Sequence, residues 1–324
     1  MATAIPFTGG RSVAARRLRE TLIERGIQVT AWGAIAIVFL IFVFVAREAA
    51  PLFWEPASLE EVGGMRKVFL PQAYGTPEAP LPYVWQPISV MPKYSLLPLL
   101  LGTLKVTLVA MVFAVPVAIL AAVYTSEYAP RKLRELIKPG VELLAGFPSV
   151  VLGFFALIVL ATWLQDFFGL EFRLNAINAG IGLGLAVLPI IYTVSEDALS
   201  SVPQKFREAA LALGASPSQT AWGVVLPTAL PGIFAGVILG FGRAIGETMI
   251  VLMASGNAAI TSLALAEPVR TMSATVAAEL AEVVFGSPHW RVLFFVGSLL
   301  FLFTLALNSA GAWLTGYLRR LGMA

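Results

Sequence analysis

The stretch "PQKFREAALALGASPSQTAWGVVLP" (Pro203–Pro227) decides how this 324-residue chain is interpreted. Glu208–Ala210 begins a predicted short helix. Gly214 is predicted to end it, because glycine tolerates the left-handed conformation at a helix C-terminus. Ser216 fits the N-cap of a second helix, with Pro217 at its first position. The stretch therefore predicts a helix–glycine–helix connection between two apolar runs.

The rest of the chain is too apolar to cover a water-facing surface. It is 58% hydrophobic and 13% charged, with a mean hydropathy of +0.84, whereas soluble chains are typically about a quarter charged. This composition predicts an all-α integral membrane protein. A net charge of +3 gives no indication of a nucleic-acid partner. A single histidine and no cysteine do not suit a zinc, haem or iron–sulfur site.

Six apolar runs are long enough to be predicted spans. Residues 29–46 follow a polar, arginine-rich segment and are interpreted as a retained anchor rather than a cleaved signal. Two of the runs exceed the roughly 20 residues that a span needs, so we expect them to bend or to project from the bilayer. The predicted spans are about Val29–Ala46, Leu96–Tyr124, Val141–Leu164, Ile177–Val194, Gly223–Ser255 and Val292–Tyr317.

The distribution of basic residues predicts the orientation. With both termini in the cytoplasm, 13 Arg and Lys residues lie in cytoplasmic segments and seven in outer segments. The predicted organisation is a cytoplasmic tail (1–28), a first span (29–46), a proline-rich periplasmic loop (47–95), a core (96–317) with a cytoplasmic loop at 198–222, and a cytoplasmic tail (318–324). We expect the 47–95 loop to be an ordered, irregular cap.

The opening stretch resembles the permease subunits of ATP-binding-cassette (ABC) importers of type I. Their pattern is Glu-Ala-Ala, three residues, Gly, nine residues, then Ile-x-Leu-Pro, and this chain has Val224 in place of the isoleucine. The resemblance implies that the loop forms a coupling helix that docks into a groove of an ATPase subunit. The residues that it assigns to coupling are Glu208, Ala209, Ala210, Gly214, Leu226 and Pro227.

The chain itself carries no phosphate-binding loop of the Walker type. Such a loop needs Gly-Lys followed by Ser or Thr, and none of the six lysines follows a glycine. We therefore expect a transport subunit and not an enzyme, with no cofactor of its own. ATP and magnesium are expected on a separate ATPase.

Three further stretches narrow the resemblance: "LLPLLLGTLKVTLVAMVFAVPVAILAAVYTSEYAP", "ELLAGFPSVVLGFFAL" and "GFGRAIGETMIVLMASGN". Together they resemble the PstC-type permease of the bacterial phosphate-specific importer, over roughly Ser95–Tyr317. The resemblance implies a location in the bacterial cytoplasmic (inner) membrane, surrounded by lipid. It also implies a PstA-type partner permease, two PstB-type ATPase subunits and a PstS-type phosphate-binding protein.

Arg243 and Glu247 are the only charged residues between Gly223 and Ser255. On a continuous helix, residues four apart share one face. Charges inside membrane spans are functional by default, and the paired N–H donors of arginine match phosphate oxygens. We expect Arg243 to line the substrate path and Glu247 to hold its guanidinium when the path is empty. A purely structural ion pair is the alternative.

Two other residues have competing interpretations. Thr248 adds a hydroxyl to the path or satisfies its own backbone. Lys105 reaches the outer membrane interface with its amine or guides anions there.

Three other functions compete with phosphate import. The first is a permease for another oxyanion, such as molybdate or sulfate. The second is an ion-coupled carrier or channel that acts alone, against which the coupling pattern argues. The third is a phosphate-sensing scaffold for a signalling kinase.

Overall fold

The computed structural model describes residues 10–72, 74–76 and 79–320, and most of them are helical. The first unit, residues 1–47, contains one described helix, which begins at Gly10. The second unit is residues 48–324. The helices are α1 (Gly10–Ala49), α2 (Pro56–Val62), α3 (Met65–Phe69), α4 (Leu97–Val123), α5 (Arg131–Ala145), α6 (Ser149–Phe155), α7 (Ala161–Phe168), α8 (Ala176–Ser200), α9 (Gln204–Ala212), α10 (Pro217–Thr220), α11 (Leu226–Gly246), α12 (Met249–Ala254), α13 (Met272–Glu279) and α14 (Pro288–Arg320).

Six helical segments are long and apolar enough to cross a membrane, which confirms the predicted all-α membrane architecture. The predicted first span lies inside α1. Residues 1–9 and 321–324 of the predicted tails lie outside the described residues. The six segments are Arg17–Phe53, Leu97–Tyr128, Ser149–Phe168, Ala176–Ser200, Pro217–Gly246 and Pro288–Tyr317.

The predicted start of the third span was wrong. The chain from Val141 to Ala145 belongs to α5, a strongly amphipathic helix that buries no residue, and the span begins at Ser149. The reason is local: Gly146 caps α5, and Pro148 takes extended backbone angles at the N-cap of α6. A proline fits that position because it has no N–H to donate to the preceding turn.

The core is built on close packing of α4 against α8. Four alanines at every fourth position of α4 are fully buried, and they form a narrow stripe. On α8, a Cβ atom at Gly180 would lie 2.5 Å from Val109 Cβ, and one at Gly184 would lie 2.6 Å from Phe113 Cδ1. Small residues at such contacts let membrane helices approach closely, where dispersion contacts hold them. The alanines are Ala110, Ala114, Ala118 and Ala122.

The segment between α1 and α4 forms an ordered cap, as expected. Two short antiparallel hairpins, β1 (Tyr74–Thr76) with β2 (Ala79–Leu81) and β3 (Trp85–Gln86) with β4 (Lys93–Tyr94), accompany α2 and α3. Its buried side chains pack with residues of α4, α13 and α14 in a second apolar cluster. We call this end of the bundle the outer end and the opposite end, with α9, the inner end, after the predicted orientation.

Candidate functional site

The predicted fifth span is interrupted at the residues proposed to form the substrate path. α11 ends at Gly246, because Glu247 has extended backbone angles (φ −69°, ψ 131°), and a new short helix starts at Met249. The Ser273 hydroxyl donates to the Glu247 carbonyl oxygen at 2.9 Å. This bond from α13 satisfies a carbonyl that the helix break removes from the α-helical ladder.

Arg243 lies in the last turn of α11 and is exposed. One turn earlier Gly240 packs against Ile191, well inside α8, so Arg243 is placed well away from either end of the bundle. Among the described residues, no hydrogen bond or ion pair engages its guanidinium. The arginine is therefore available to a substrate or to another chain.

The predicted ion pair between Arg243 and Glu247 is absent from the described part of the chain. Glu247 follows the last residue of α11 with a helix-like φ of −69°, and its ψ of 131° changes the direction of the chain after it. Instead, the Thr248 backbone N–H donates to Glu247 Oε1 at 3.2 Å. The predicted pairing of the two side chains is therefore not formed here, and their roles in transport stay predictions.

Thr248 lies in the break itself, where its hydroxyl donates to the Gly246 carbonyl oxygen at 3.3 Å. A groove of about 500 Å³ adjoins this point. Thr248 and Ser273 are its hydroxyl-bearing residues, and the remaining lining is small or apolar. The groove is lined by Gly246, Thr248, Ser273, Val276, Ala277, Leu280, Ala281, Trp290, Gly297 and Leu300.

The glycines around Arg243 have different surroundings. A Cβ at Gly240 would lie 2.5 Å from Ile191 Cγ1, and one at Gly242 would lie 2.9 Å from Asn308 Oδ1. A Cβ at Gly246 would meet nothing within 4 Å. Gly240 and Gly242 thus allow close packing within this chain, whereas Gly246 keeps the wall of the groove open.

The amine of Lys105 is bound by groups of the protein itself. Its side chain is buried, and its amine donates to the carbonyl oxygens of Ser262 at 2.9 Å and Ala264 at 2.7 Å. Both acceptors belong to the irregular segment between α12 and α13, which we call the outer segment (256–271). These two hydrogen bonds attach the outer segment to α4. Neither acceptor is a residue of the groove.

A buried ionic cluster joins the outer segment to the cap. Glu279 accepts from Arg270 at 2.7 Å, from His289 Nε2 at 2.9 Å and from Trp85 Nε1 at 3.0 Å. Burial raises the pKa of Glu279, but the bonds from His289 and Trp85 and the charge of Arg270 outweigh it, so the net pKa is lowered. The single histidine of the chain has a structural position here.

At the inner end, the helix–glycine–helix prediction is confirmed. α9 starts at Gln204, four residues before Glu208, and Gly214 follows it with φ 87°. Ser216 and Gln219 form a reciprocal capping box at the start of α10. Glu208, Ala209 and Gly214 are exposed, Ala210 is half-buried, and the apolar side chains Phe206, Leu211 and Leu213 are exposed beside them.

Leu226 and Pro227 begin α11, away from the exposed residues of α9. Leu226 is partly buried against the core, and Pro227 is exposed. Before them, residues 221–225 form a wider π turn in which Leu226 N–H bonds to Ala221 O. Pro227 has no N–H, and a π turn next to it accommodates the missing donor. The coupling role of these two residues stays a prediction.

Sequence reasoning missed the ion pairs that hold the inner end together. Arg207, next to Glu208, binds Glu127 at 2.8 Å, and Lys138 binds Glu196 at 2.7 Å and Asp197 at 2.8 Å. The hydrogen bonds that Lys138 donates to the carboxylates of Asp197 and Glu196 raise its pKa. The partners are about 60 to 80 positions apart in the chain, so no local pattern indicates them.

Comparisons with known proteins agree with this architecture. Residues 114–321 match the family described as "Binding-protein-dependent transport system inner membrane component". The chain is 33% identical, over 69% of its length and 74% of the relative's, to a probable ABC transporter permease protein, YqgH, of Bacillus subtilis. It is 34% identical, over 68% and 72% respectively, to the phosphate transport system permease protein PstC of Mesorhizobium japonicum.

The fold is also similar to that of a solved structure. A chain of the MetNI methionine ABC transporter in an inward-facing conformation aligns with a TM-score of 0.52, at 19% identity, over 68% of this chain and 93% of that one. The family match covers the inner-end helices, α11 and α14. The chain therefore belongs to the binding-protein-dependent transport system inner membrane components, the permease subunits of ABC transporters.

Proposed function

We propose that this chain is the permease subunit of an ATP-driven importer of inorganic phosphate and forms half of the translocation path. Two findings support the substrate. Several relatives named as phosphate transport permeases match at about 30% identity or more over about two thirds of the chain. The exposed arginine of α11 adds a physical reason.

The observation that carries the proposal is the free guanidinium of Arg243. Phosphate is a mono- or dianion near neutral pH, and a charge inside a membrane span is costly unless it has a partner. Arginine presents planar paired donors that match two phosphate oxygens. Because Arg243 has no carboxylate partner in the described part of the chain, a passing anion or a second chain must supply one.

The break after Gly246 supports the same assignment. It places Thr248 in the wall of the groove, directly after Glu247 and within a few residues of Arg243. Glu247 would oppose tight anion binding by like charge, so phosphate would bind weakly enough to leave. A path needs this property, because a site that holds its substrate too tightly does not conduct.

The proposed partners are those of the ABC permease family to which the chain belongs. Two separate PstB-type ATPase subunits would bind ATP and magnesium, one of them against the exposed residues of α9. A PstA-type permease would complete the path. A PstS-type phosphate-binding protein would deliver the substrate at the outer end, and the assembly would reside in the bacterial inner membrane.

The test is uptake of labelled phosphate by liposomes that contain the reconstituted complex, with its binding protein outside and ATP inside. We expect ATP-dependent uptake that unlabelled phosphate competes away and that sulfate and molybdate do not. Competition by sulfate or molybdate at equal concentration would assign the path to another oxyanion. Uptake by this chain without any ATPase would instead show a carrier or channel that acts alone.

A further inference from the structure

The packing of apolar side chains does not explain how α9 is held in place. None of its residues is buried, so no apolar side chain fixes it in the core. Its solvent-facing side exposes Phe206, Glu208 and Leu211. The polar contacts of one residue, Arg207, tie this helix to the membrane spans.

Arg207 binds three groups, two of them on different spans and one in the connection between α8 and α9. Its Nε and Nη2 atoms donate to both carboxylate oxygens of Glu127, at 3.1 and 2.8 Å, which is the bidentate geometry of a strong charge-assisted pair. Its Nη1 donates to the Val202 carbonyl oxygen at 2.6 Å, and Nη2 also donates to that of Leu199 at 2.9 Å. The arginine and glutamate side chains are 15% and 10% exposed.

The partners of Arg207 lie at the inner ends of the two helices that form the core. Glu127 belongs to the π turn that continues α4, Leu199 lies in the last turn of α8, and Val202 lies two residues beyond α8. Basic residues of α5 bind the same two ends. Arg134 donates to the Thr125 and Ser126 carbonyl oxygens, and Lys138 binds Glu196 and Asp197.

These contacts give α9 a mechanical connection to the core. A displacement applied to the exposed face of α9 reaches the end of α4 through the guanidinium, because α9 has no buried side chain that packs there. The guanidinium adds to the covalent connection from α8 through residues 201–203 and to the contact of α9 with the π turn at 221–225. The bidentate pair also resists rotation, since both carboxylate oxygens are engaged. An arginine in this position has both the reach and the number of donors that the connection needs.

We propose that Arg207 is the positioning residue that couples movement of α9 to the spans α4 and α8, with Glu127 as the carboxylate that receives it. The proposal rests on the proposed function, in which a separate ATPase moves α9. Glu208 and its exposed neighbours face that ATPase, whereas Arg207 faces the membrane spans. Adjacent residues of one short helix thus serve the two sides of the connection.

The test compares phosphate uptake with ATP hydrolysis in the same reconstituted complex. The variants are Arg207→Met, Arg207→Lys and Glu127→Gln. The glutamine keeps the size of Glu127 and leaves the two carbonyl contacts of Arg207 in place. Arg131→Met is the matched control, because Arg131 forms an exposed pair with Glu135 on α5, and exposed pairs contribute little.

We expect the number of ATP molecules hydrolysed per phosphate transported to rise by about tenfold or more in Arg207→Met, because breaking a buried pair leaves its partner uncompensated. Arg207→Lys should restore part of the coupling, and Arg131→Met should match the wild type. An unchanged ratio in Glu127→Gln would overturn the proposal. Equal losses of hydrolysis and uptake, or loss of the assembled complex in Glu127→Gln, would also overturn it, because the pair would then be a structural tie only.

A spectroscopic measurement distinguishes coupling of α9 to α4 through Arg207 from a contribution of Arg207 to stability alone. The chain has no cysteine, so Gln204→Cys in α9 and Tyr124→Cys at the end of α4 are its only sites for spin labels. In a complex whose other subunits carry no cysteine, the two labels report the distance between α9 and the end of α4. We expect this distance to stay constant between the ATP-bound and ATP-free complex and to change with ATP in Glu127→Gln. A distance that responds to ATP identically in both proteins would overturn the proposal. A wild-type complex that transports no phosphate would instead contradict the proposed function.

Discussion

At the scale of single residues, the surroundings of two intramembrane cations separate their roles. Lys105 and Arg243 both lie in apolar helices, and in the sequence both are isolated basic residues. Lys105 is buried and its amine binds two backbone carbonyl oxygens more than 150 positions away. Arg243 is exposed and has no partner in the described chain. Only the second is therefore available for an anion.

Glu279 carries the first residue-level prediction. Replacing it by glutamine leaves the largely buried Arg270 without its counter-ion, and loss of one member of such a pair typically costs about 3 kcal/mol or more. We expect Glu279→Gln to lower the Tm of the purified protein in detergent. Glu282→Gln is the control, because Glu282 is exposed and follows Glu279 closely in the chain. Equal melting temperatures for the two variants would contradict the structural role of Glu279.

The same residue predicts a pH dependence. The folded-state pKa of Glu279 is lowered, so its ionised form stabilises the protein at every pH above the ordinary carboxyl pKa of about 4.3. That stabilisation is lost as the pH falls through the lowered folded-state pKa. The difference in Tm between wild type and Glu279→Gln should therefore be constant near neutrality and shrink only in acid.

At the scale of elements, the outer end of α4 is held against the outer segment and α13. A Cβ at Gly102 would lie 2.2 Å from the Arg270 carbonyl oxygen. Thr103 Oγ1 accepts from the N–H of Met272, the first residue of α13, at 3.0 Å. Lys105 binds the outer segment. Three positions within one turn of α4 thus fix the segment that precedes α13.

Gly102→Ala tests this arrangement. The methyl group cannot fit without a backbone shift, and overpacking of this kind typically costs about 1–3 kcal/mol. The control is Gly140→Ala in α5, where a Cβ would meet nothing within 4 Å and alanine favours the helix by about 0.5–1 kcal/mol. We expect a lower Tm for Gly102→Ala and an equal or higher Tm for Gly140→Ala. A Gly102→Ala protein as stable as the wild type would contradict the close approach.

Much of the element pattern could be predicted from the sequence, including a bend in the long fifth run, and the two features that were missed have physical causes. The apolar runs, Gly214 and the Ser216 cap act locally, so their effects are visible in the residues themselves. The position of the break at Glu247 is not visible in the local sequence, because "AIGETMI" is compatible with a continuous helix. The hydrogen bond that accompanies the break comes from Ser273, 26 positions away. The extension of α5 over Val141 was missed because its apolar face resembles the start of a span.

At the scale of the whole molecule, the second unit connects its two ends through one packed core. Arg207 ties α9 to α4 and α8 at the inner end, and the outer end of α4 holds the outer segment. α11 packs on α8 between them and carries Arg243 to the edge of its helical run. This arrangement suits a permease whose spans move as bodies between two states.

The most direct test of this account measures phosphate uptake by the reconstituted complex containing Arg243→Gln. Hydrogen bonds to a charged group contribute about 1.5–3 kcal/mol, so we predict uptake reduced by about tenfold or more, with assembly and ATP hydrolysis retained. Arg173→Gln is the matched control, because Arg173 is an exposed arginine that contacts the Thr162 hydroxyl at 3.2 Å. Wild-type uptake in Arg243→Gln would contradict the placement of Arg243 in the path.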